Sequence, residues 1–382
     1  MPRKSLGVGV VGAGVAGRIH AAAYFAAPTL DEDLGVDVHL VAIADPQRHM
    51  ADDAHRRYGF ARSEENWKAI AANPDIDLVS VAVPDAFHRE IVEGMAAAGK
   101  HVLCEKPLAA AVEDAEAMVD AVERAGVIGA VSHEWRRIPA VSNIRWHINN
   151  GALGDLLHFH GRFFADYGLI AENRLSWRFS GPPGSGVVSD VGSHLIDLAE
   201  YLCGPLARIH GALLTGVDAA AAKNEDMAFF SCSFRSGTIG SFALSRMAKG
   251  QPIGLGFDVY GTAGAASFDL SRPAEFYLLS AAAPLGASGT RILVGLSDPS
   301  VHGGAPSGGG AGLGHGLSDY FVIQARAFLE EVVGRSGLTP CVSFREELRT
   351  VQAMDAVVRS AGGGGKSIGF ADVAGPARAG DD

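Results

Sequence analysis

Cysteine is scarce in this chain. Its four residues, Cys104, Cys203, Cys232 and Cys341, stand far apart among 382, and no two form a CxxC pair. That spacing argues against a disulfide framework or a cysteine zinc site, and it fits a reducing, cytoplasmic setting. Long apolar runs are missing too. No stretch of 18 apolar residues occurs, so no membrane-spanning helix is expected. Arg3 and Lys4 do precede an apolar stretch, residues 6–17, in the manner of a signal peptide. But glycines punctuate it, Arg18 and His20 follow at once, and no A-x-A pattern ends it, so none is expected. Cations are the minority charge: 32 Lys and Arg against 43 Asp and Glu leave a net −11. An acidic surface repels phosphate backbones, which disfavours nucleic acid as a partner. There is no HExxH, and no metal is expected.

What is abundant is core material, 48% hydrophobic residues with 20% charged. Those are globular values, and the length suggests two domains. Up to about residue 134 the pattern alternates. Apolar runs at 6–11, 39–44, 77–83, 100–104 and 127–132 read as strands. Residues 18–27, 51–58, a stretch opened by Ser63, 86–98 and 112–125 read as helices. Continuous apolar strands alternating with helices make a parallel sheet covered on both faces. Beyond it, 139–150 and 189–202 read as helices. Residues 155–166, 208–215, 227–234, 238–245, 253–260 and 265–269 read as strands. Consecutive strands imply an α+β second domain with a mostly antiparallel sheet. Residues 281–318, rich in Ala, Gly, Pro and Ser, read as a long irregular loop; 319–334 and 344–361 read as helices. The expected division is 1–134, 135–372 and a flexible tail, 373–382.

The first chemical motif is Gly12-Ala13-Gly14-Val15-Ala16-Gly17, which follows a strand and opens a helix. Gly12 permits the tight turn, Gly14 a close approach of backbone to pyrophosphate, and Gly17 close packing of helix on strand. The helix N-terminus adds free N–H groups and a positive dipole end. Asp45 ends the second strand, farther from Gly17 than the usual spacing of about 20 residues, because residues 28–37 are inserted. It either accepts the ribose hydroxyls of NAD and repels the 2′-phosphate of NADP, or caps the turn at Pro46. Arg48 nearby softens that repulsion, leaving NADP as the alternative cofactor.

Glu105-Lys106-Pro107 follows the strand ending at Cys104. Strand carboxyl ends face the cofactor crevice in such sheets. There Lys106 can donate to a substrate hydroxyl or carry its proton, with Glu105 orienting it; the tripeptide is equally a common surface turn. Asp190, His194 and Asp197 fall on one face if 189–202 is a helix. A histidine beside two carboxylates is favoured in its charged form and suits a general base. A structural network and a zinc site are the competing readings.

Together these motifs, with Val83-Pro84-Asp85-Ala86-Phe87-His88, resemble the glucose–fructose oxidoreductase / inositol dehydrogenase / MocA family. The resemblance runs from Leu6 to about Val373. It implies a Rossmann domain and a C-terminal domain with a large open sheet that makes homodimers or homotetramers. It implies NAD(P)-dependent oxidation of a secondary hydroxyl on a sugar, anhydrosugar or cyclitol. By the resemblance, Lys106 and His194 handle the proton, Asp190 tunes His194, and Pro84 and His88 lie beside the nicotinamide. Asp85 departs from the family's usual Asn. Trp135-Arg136-Arg137-Ile138-Pro139-Ala140 and Ser176-Trp177-Arg178-Phe179 are similar to the levoglucosan dehydrogenase branch. Arg136 and Arg178 suit sugar oxygens and Trp177 a sugar face, although Trp135 and Trp177 are equally read as core aromatics. His315 reaches the substrate by position in the resemblance, or stands in solvent. On the same fold, a non-catalytic sensor or an NAD-retaining epimerase or glycosidase-like enzyme is the alternative.

Overall fold

The computed structural model describes residues 3–30, 33–179, 181, 185–216, 224–280, 282–284, 286–304 and 310–370. The stretch Lys4–Val11 (β1) is apolar from Leu6 onward and lies buried at the centre of the first sheet. After it the chain turns at Gly12, φ +100°, into helix α1 (Val15–Ala26). Then follow β2 (Val36–Ala44), α2 (Arg48–Tyr58), β3 (Arg62–Glu64), α3 (Trp67–Ala71), β4 (Leu78–Val81), α4 (His88–Ala97), β5 (His101–Glu105), α5 (Val112–Ala125) and β6 (Gly129–Ser132). The sheet order β6-β5-β4-β1-β2-β3 is parallel throughout. This doubly wound order reverses direction beside β1, where a crevice opens at the carboxyl ends of the strands.

The second unit contains α6 (Pro139–Asn149), β7 (Leu156–Phe164), α7 (Ser193–Cys203), β8 (Leu206–Thr215), β9 (Met227–Phe234), β10 (Ile239–Ser245), β11 (Gly254–Gly261), β12 (Ala265–Asp269), β13 (Glu275–Leu279) and β14 (Thr290–Leu293). They are followed by α8 (Leu317–Val333), β15 (Val342–Ser343), α9 (Phe344–Gly362) and β16 (Ile368–Gly369). Nine strands form one open sheet, β14-β13-β12-β11-β7-β10-β9-β8-β16. Among the described residues, only β7 and β10 of this sheet pair in parallel. Its inner face is aromatic: Phe159, Phe242, Phe257 and Phe268 are buried there, with Leu195 of α7 against Gly161.

Four expectations change. Ser63 does not open a helix; it lies in β3, and Asn66 caps α3 by accepting the Lys68 N–H at 2.9 Å. Residues 189–202 are not one regular helix. A wide π turn, Val188–Gly192, precedes α7 and moves Asp190 out of its register. The stretch 281–318 is not irregular throughout, because β14 pairs with β13 and a 3₁₀ turn, Pro299–His302, is capped by Asp298. And the two sheets do not divide the chain cleanly at residue 134. Strand β15 joins the edge of the first sheet beside β6, and α8 packs on α1. Arg326 of α8 donates to the carbonyls of Ala27, Pro28 and Leu30. The expected tail, 373–382, lies outside the described residues. Among the described residues no helix is long and apolar enough to cross a membrane, and all four cysteines are buried and free.

Candidate active site

The glycine turn and the carboxyl ends of β2 and β4 enclose a cleft of about 660 Å³, lined by Gly12, Gly14, Asp45, Met50, Trp67 and Pro84 among others. A second cavity of about 300 Å³ shares Gly14 and Pro84 with it and adds Val15, Ala16, Lys106, Arg178 and Asp190. The three glycines divide their work. A Cβ on Gly12 would strike the Ala82 carbonyl at 2.1 Å, and one on Gly17 the Gly12 carbonyl at 1.9 Å. A Cβ on Gly14 would meet nothing within 4 Å. Gly12 and Gly17 are thus required by packing. Gly14 keeps clear the cradle at the N-terminus of α1, whose first turn carries no acidic side chain. That cradle suits the pyrophosphate of a dinucleotide.

Asp45 is buried, and both its oxygens accept backbone N–H groups, from Ala13 at 2.9 Å and Gln47 at 2.8 Å. It therefore braces the glycine turn and the start of α2 while lining the cleft. Arg48 is turned to the surface, toward Asp52 and Glu65. His88 does not line either cavity. Its ring lies between the carbonyls of Leu108 and Val83 and pins the chain behind Pro84. Glu105 does not orient the Lys106 ammonium as expected. Its Oε1 meets His20 at 2.9 Å, and His20 continues to Ser80 and Tyr24. Burial works to raise the Glu105 carboxyl, but His20 and Lys106 carry it below the usual carboxylate range.

Lys106 reaches across to the second unit. Its Nζ donates to the Asp190 carbonyl at 2.7 Å and stands 3.9 Å from the Asp190 carboxylate. Asp190 also accepts from the Tyr167 hydroxyl, and Arg178 Nε lies 3.5 Å away. Burial pushes this carboxyl up, yet Lys106, Arg178 and Tyr167 hold it below the usual range. His194 is buried against the rings of His133, Trp135 and Phe163. Its Nδ1 is enclosed with no hydrogen-bond partner. The expectation that Asp190 lifts the His194 pKa is overturned. Burial, then the Lys106 ammonium and His133, hold the imidazole well below the ordinary histidine value.

Asp197 does not join Asp190 and His194 in one network. Both its oxygens are held by Arg136, at 2.9 and 2.5 Å, which commits that guanidinium to an ion pair. Arg178 is half-exposed at the cavity. The Trp177 side chain lies outside the described residues. His315 is not in open solvent: its Nδ1 meets the Tyr320 hydroxyl at 2.7 Å and its Nε2 is buried without a partner. Tyr320 packs on Trp135, and Trp135 on His194.

Sequence reasoning missed four residues around this site. Tyr167 is the hydroxyl donor to Asp190. Glu134, on the turn after β6, is buried with its Oε2 unpartnered. Burial and the Glu105 charge raise its pKa to about 8. His133 and Glu347 meet at 2.7 Å, both fully buried. The signal for His133 and Glu134 was their place, directly after a strand at the crevice end of the sheet. Glu347 is remote in sequence and carried no such signal. Atoms of His133, Asp197 and Glu347 lie within 4.8 Å of one another. Arg136 holds both Asp197 oxygens, so in this structure the three groups form a buried ion network.

Comparison with known proteins resolves the ancestry. Residues 6–133 match the oxidoreductase family with NAD-binding Rossmann fold, and residues 141–267 match the GFO/IDH/MocA C-terminal domain. Across 94% of this chain and 96% of the relative, it is 31% identical to levoglucosan dehydrogenase of Pseudarthrobacter phenanthrenivorans. The chain belongs to the Gfo/Idh/MocA family. Within that family it is 28% identical to scyllo-inositol 2-dehydrogenase (NAD(+)) of Bacillus subtilis, over 63% of this chain and 69% of that one. A structure of levoglucosan dehydrogenase in complex with NADH and levoglucosan matches with a TM-score of 0.86 at 30% identity, covering 96% of this chain and 99% of that one. The chain is an NAD-dependent dehydrogenase of the Gfo/Idh/MocA type, and its first sheet is the NAD-binding domain.

Proposed function

We propose that this enzyme oxidises a secondary hydroxyl of a sugar, anhydrosugar or cyclitol, with Lys106 and His194 handling the hydroxyl proton. One observation carries the reading. The Lys106 ammonium and the Asp190 carboxylate line the same small cavity as Gly14, with His194 one turn beyond. NAD⁺ held in this cleft would supply the acceptor for the hydride of the substrate carbon. The residues of this chain supply the rest. Gly12, Gly14, Val15, Ala16, Gly17 and Asp45 form the cradle, and Pro84 walls the inner end.

Lys106 donates to the substrate oxygen and Asp190 fixes the ammonium. His194, neutral at pH 7, receives the hydroxyl proton as the carbonyl forms and releases it to solvent. The half-exposed Arg178 offers directional donors to further hydroxyls. The likeness to levoglucosan and inositol dehydrogenases supports a ring polyol as substrate. Exposed apolar side chains on the second sheet, Phe229, Ile239 and Tyr260 among them, support association of copies through that face. NADH formation across a panel of anhydrosugars, glycosides and inositols tests the reading. A purified enzyme inactive on the whole panel with NAD⁺ and NADP⁺ overturns it.

A further inference from the structure

The ion network behind His194 has a function of its own. We propose that His133, clamped between Asp197 and Glu347, is a positioning residue for proton transfer: its buried cation keeps His194 as an acceptor that passes the substrate's proton on. The inference rests on the reading that His194 receives that proton.

The geometry makes His133 a fixed charge. It stands at the start of the turn after β6, held at the carboxyl end of the sheet. Its Nε2 lies 2.7 Å from Glu347 Oε2; its Nδ1 makes no hydrogen bond but stands within ion-pair reach of Asp197 Oδ2, at 3.6 Å. Arg136 balances Asp197. Glu347 is fully buried, and its second oxygen has no partner. A neutral His133 would leave that carboxylate without a counter-charge, which is strongly unfavourable in a dry interior. The balance of burial against the two carboxylates accordingly favours the imidazolium.

The His133 and His194 rings stand edge to face with centroids 5.8 Å apart. Trp135 and Phe163 close the other sides of His194, so little water screens the pair. The titratable and charged groups around His194 are Lys106 after β5, His133, Glu134 (neutral below about pH 8) and Arg136 on the turn after β6, Asp190 and Asp197 flanking it in sequence, and Glu347 on α9. Strand β7 contributes Phe163, and α8 contributes Tyr320 behind Trp135. Asp190 is engaged by Lys106, Arg178 and Tyr167, and Asp197 by Arg136. The cations Lys106 and His133 therefore dominate at the ring. A second imidazolium beside the first is disfavoured, so a proton taken from substrate is soon released.

The test compares kcat/KM against pH for the parent, Glu347→Gln and His133→Asn, with NADH affinity and melting temperature measured alongside. Glu347→Gln keeps the shape but removes the charge that sustains the imidazolium. Its acid limb should move to higher pH by about one unit, with NADH affinity unchanged. In the parent, NMR titration of ¹³C-labelled histidines should find His133 protonated at a pH where His194 is neutral; this measurement stands even if a variant fails to fold. An unmoved limb in Glu347→Gln, or a neutral His133 at pH 7, overturns the inference. An active His194→Ala enzyme overturns instead the reading beneath it.

Discussion

Lys106 donates at 2.7 Å to the carbonyl of Asp190, the residue whose carboxylate also balances its charge. The lysine directly follows strand β5 of the NAD-binding sheet; the aspartate sits in the π turn that precedes α7. Each domain thus supplies half of one contact, and the ammonium is positioned only when the two are docked. Removing it should cost turnover, not cofactor binding. Lys106→Ala is expected to lose about 10²–10⁴-fold in kcat, the range of a proton-transfer group. Its NADH affinity by fluorescence titration should stay within a few-fold. A folded Lys106→Ala enzyme of parental kcat would remove Lys106 from the chemistry.

The pH profile follows from His194. With its pKa held well below the ordinary histidine value, the imidazole is already neutral at pH 7. The acid limb of kcat/KM that it governs should lie below about pH 6.5. Asp190→Asn should lower kcat roughly 10- to 100-fold, the cost of a lost charged hydrogen bond, because Lys106 and Arg178 lose their shared anion. It should not lower the acid limb, since Asp190 does not raise His194. A parental limb above pH 7 that drops in Asp190→Asn would reinstate the opposite sign.

Asp45 is predicted to affect the cofactor in two ways. It braces the glycine turn through the Ala13 N–H, and its charge disfavours a 2′-phosphate. Asp45→Ala should raise the KM for NAD⁺ about tenfold or more and narrow the preference over NADP⁺. Asp45→Asn keeps one amide oxygen and can accept only one of the two backbone N–H groups, so it should retain part of the NAD⁺ affinity that the alanine variant loses while losing selectivity. Equal KM values for NAD⁺ in all three proteins would show that neither contact matters.

Glu134 predicts a stability effect. Its pKa is raised to about 8 by burial and by Glu105, against roughly 4.3 for an unfolded glutamate. The unfolded chain ionises first, so this group costs the fold stability progressively from about pH 4.3 up to pH 8. Glu134→Gln removes that cost. Its melting temperature should match the parent near pH 4 and exceed it at pH 8. A constant difference at both values would mean that the carboxyl is ionised in the folded state.

The legible parts of the molecule were those written in local pattern. Alternating apolar runs marked the first sheet, and the glycine turn marked its crevice. The residues that order the proton site were hidden for different reasons. Nothing local announces a π turn, so Asp190, His194 and Asp197 were read as one stripe. The wide turn instead gives Asp190 to Lys106, and Arg136 takes Asp197. The resemblance placed His88 beside the nicotinamide, yet its ring is spent on two carbonyls. Glu347 meets His133 across 214 residues of sequence, a separation that no periodicity reports.

The return of the chain to its first sheet bears on how this protein can be recombined. Strand β15 covers the β6 edge, α8 covers α1, and Arg326 ties off three carbonyls at the end of α1. The dinucleotide module is therefore written in two separate passages of the sequence, with strands β7 to β14 of the large sheet spliced between them. A chimera cut at residue 134 inherits a cofactor module without its closing strand and helix. One that exchanges β7 to β14 alone keeps that module whole, but it must still match the edge strand β16, which returns to pair with β8.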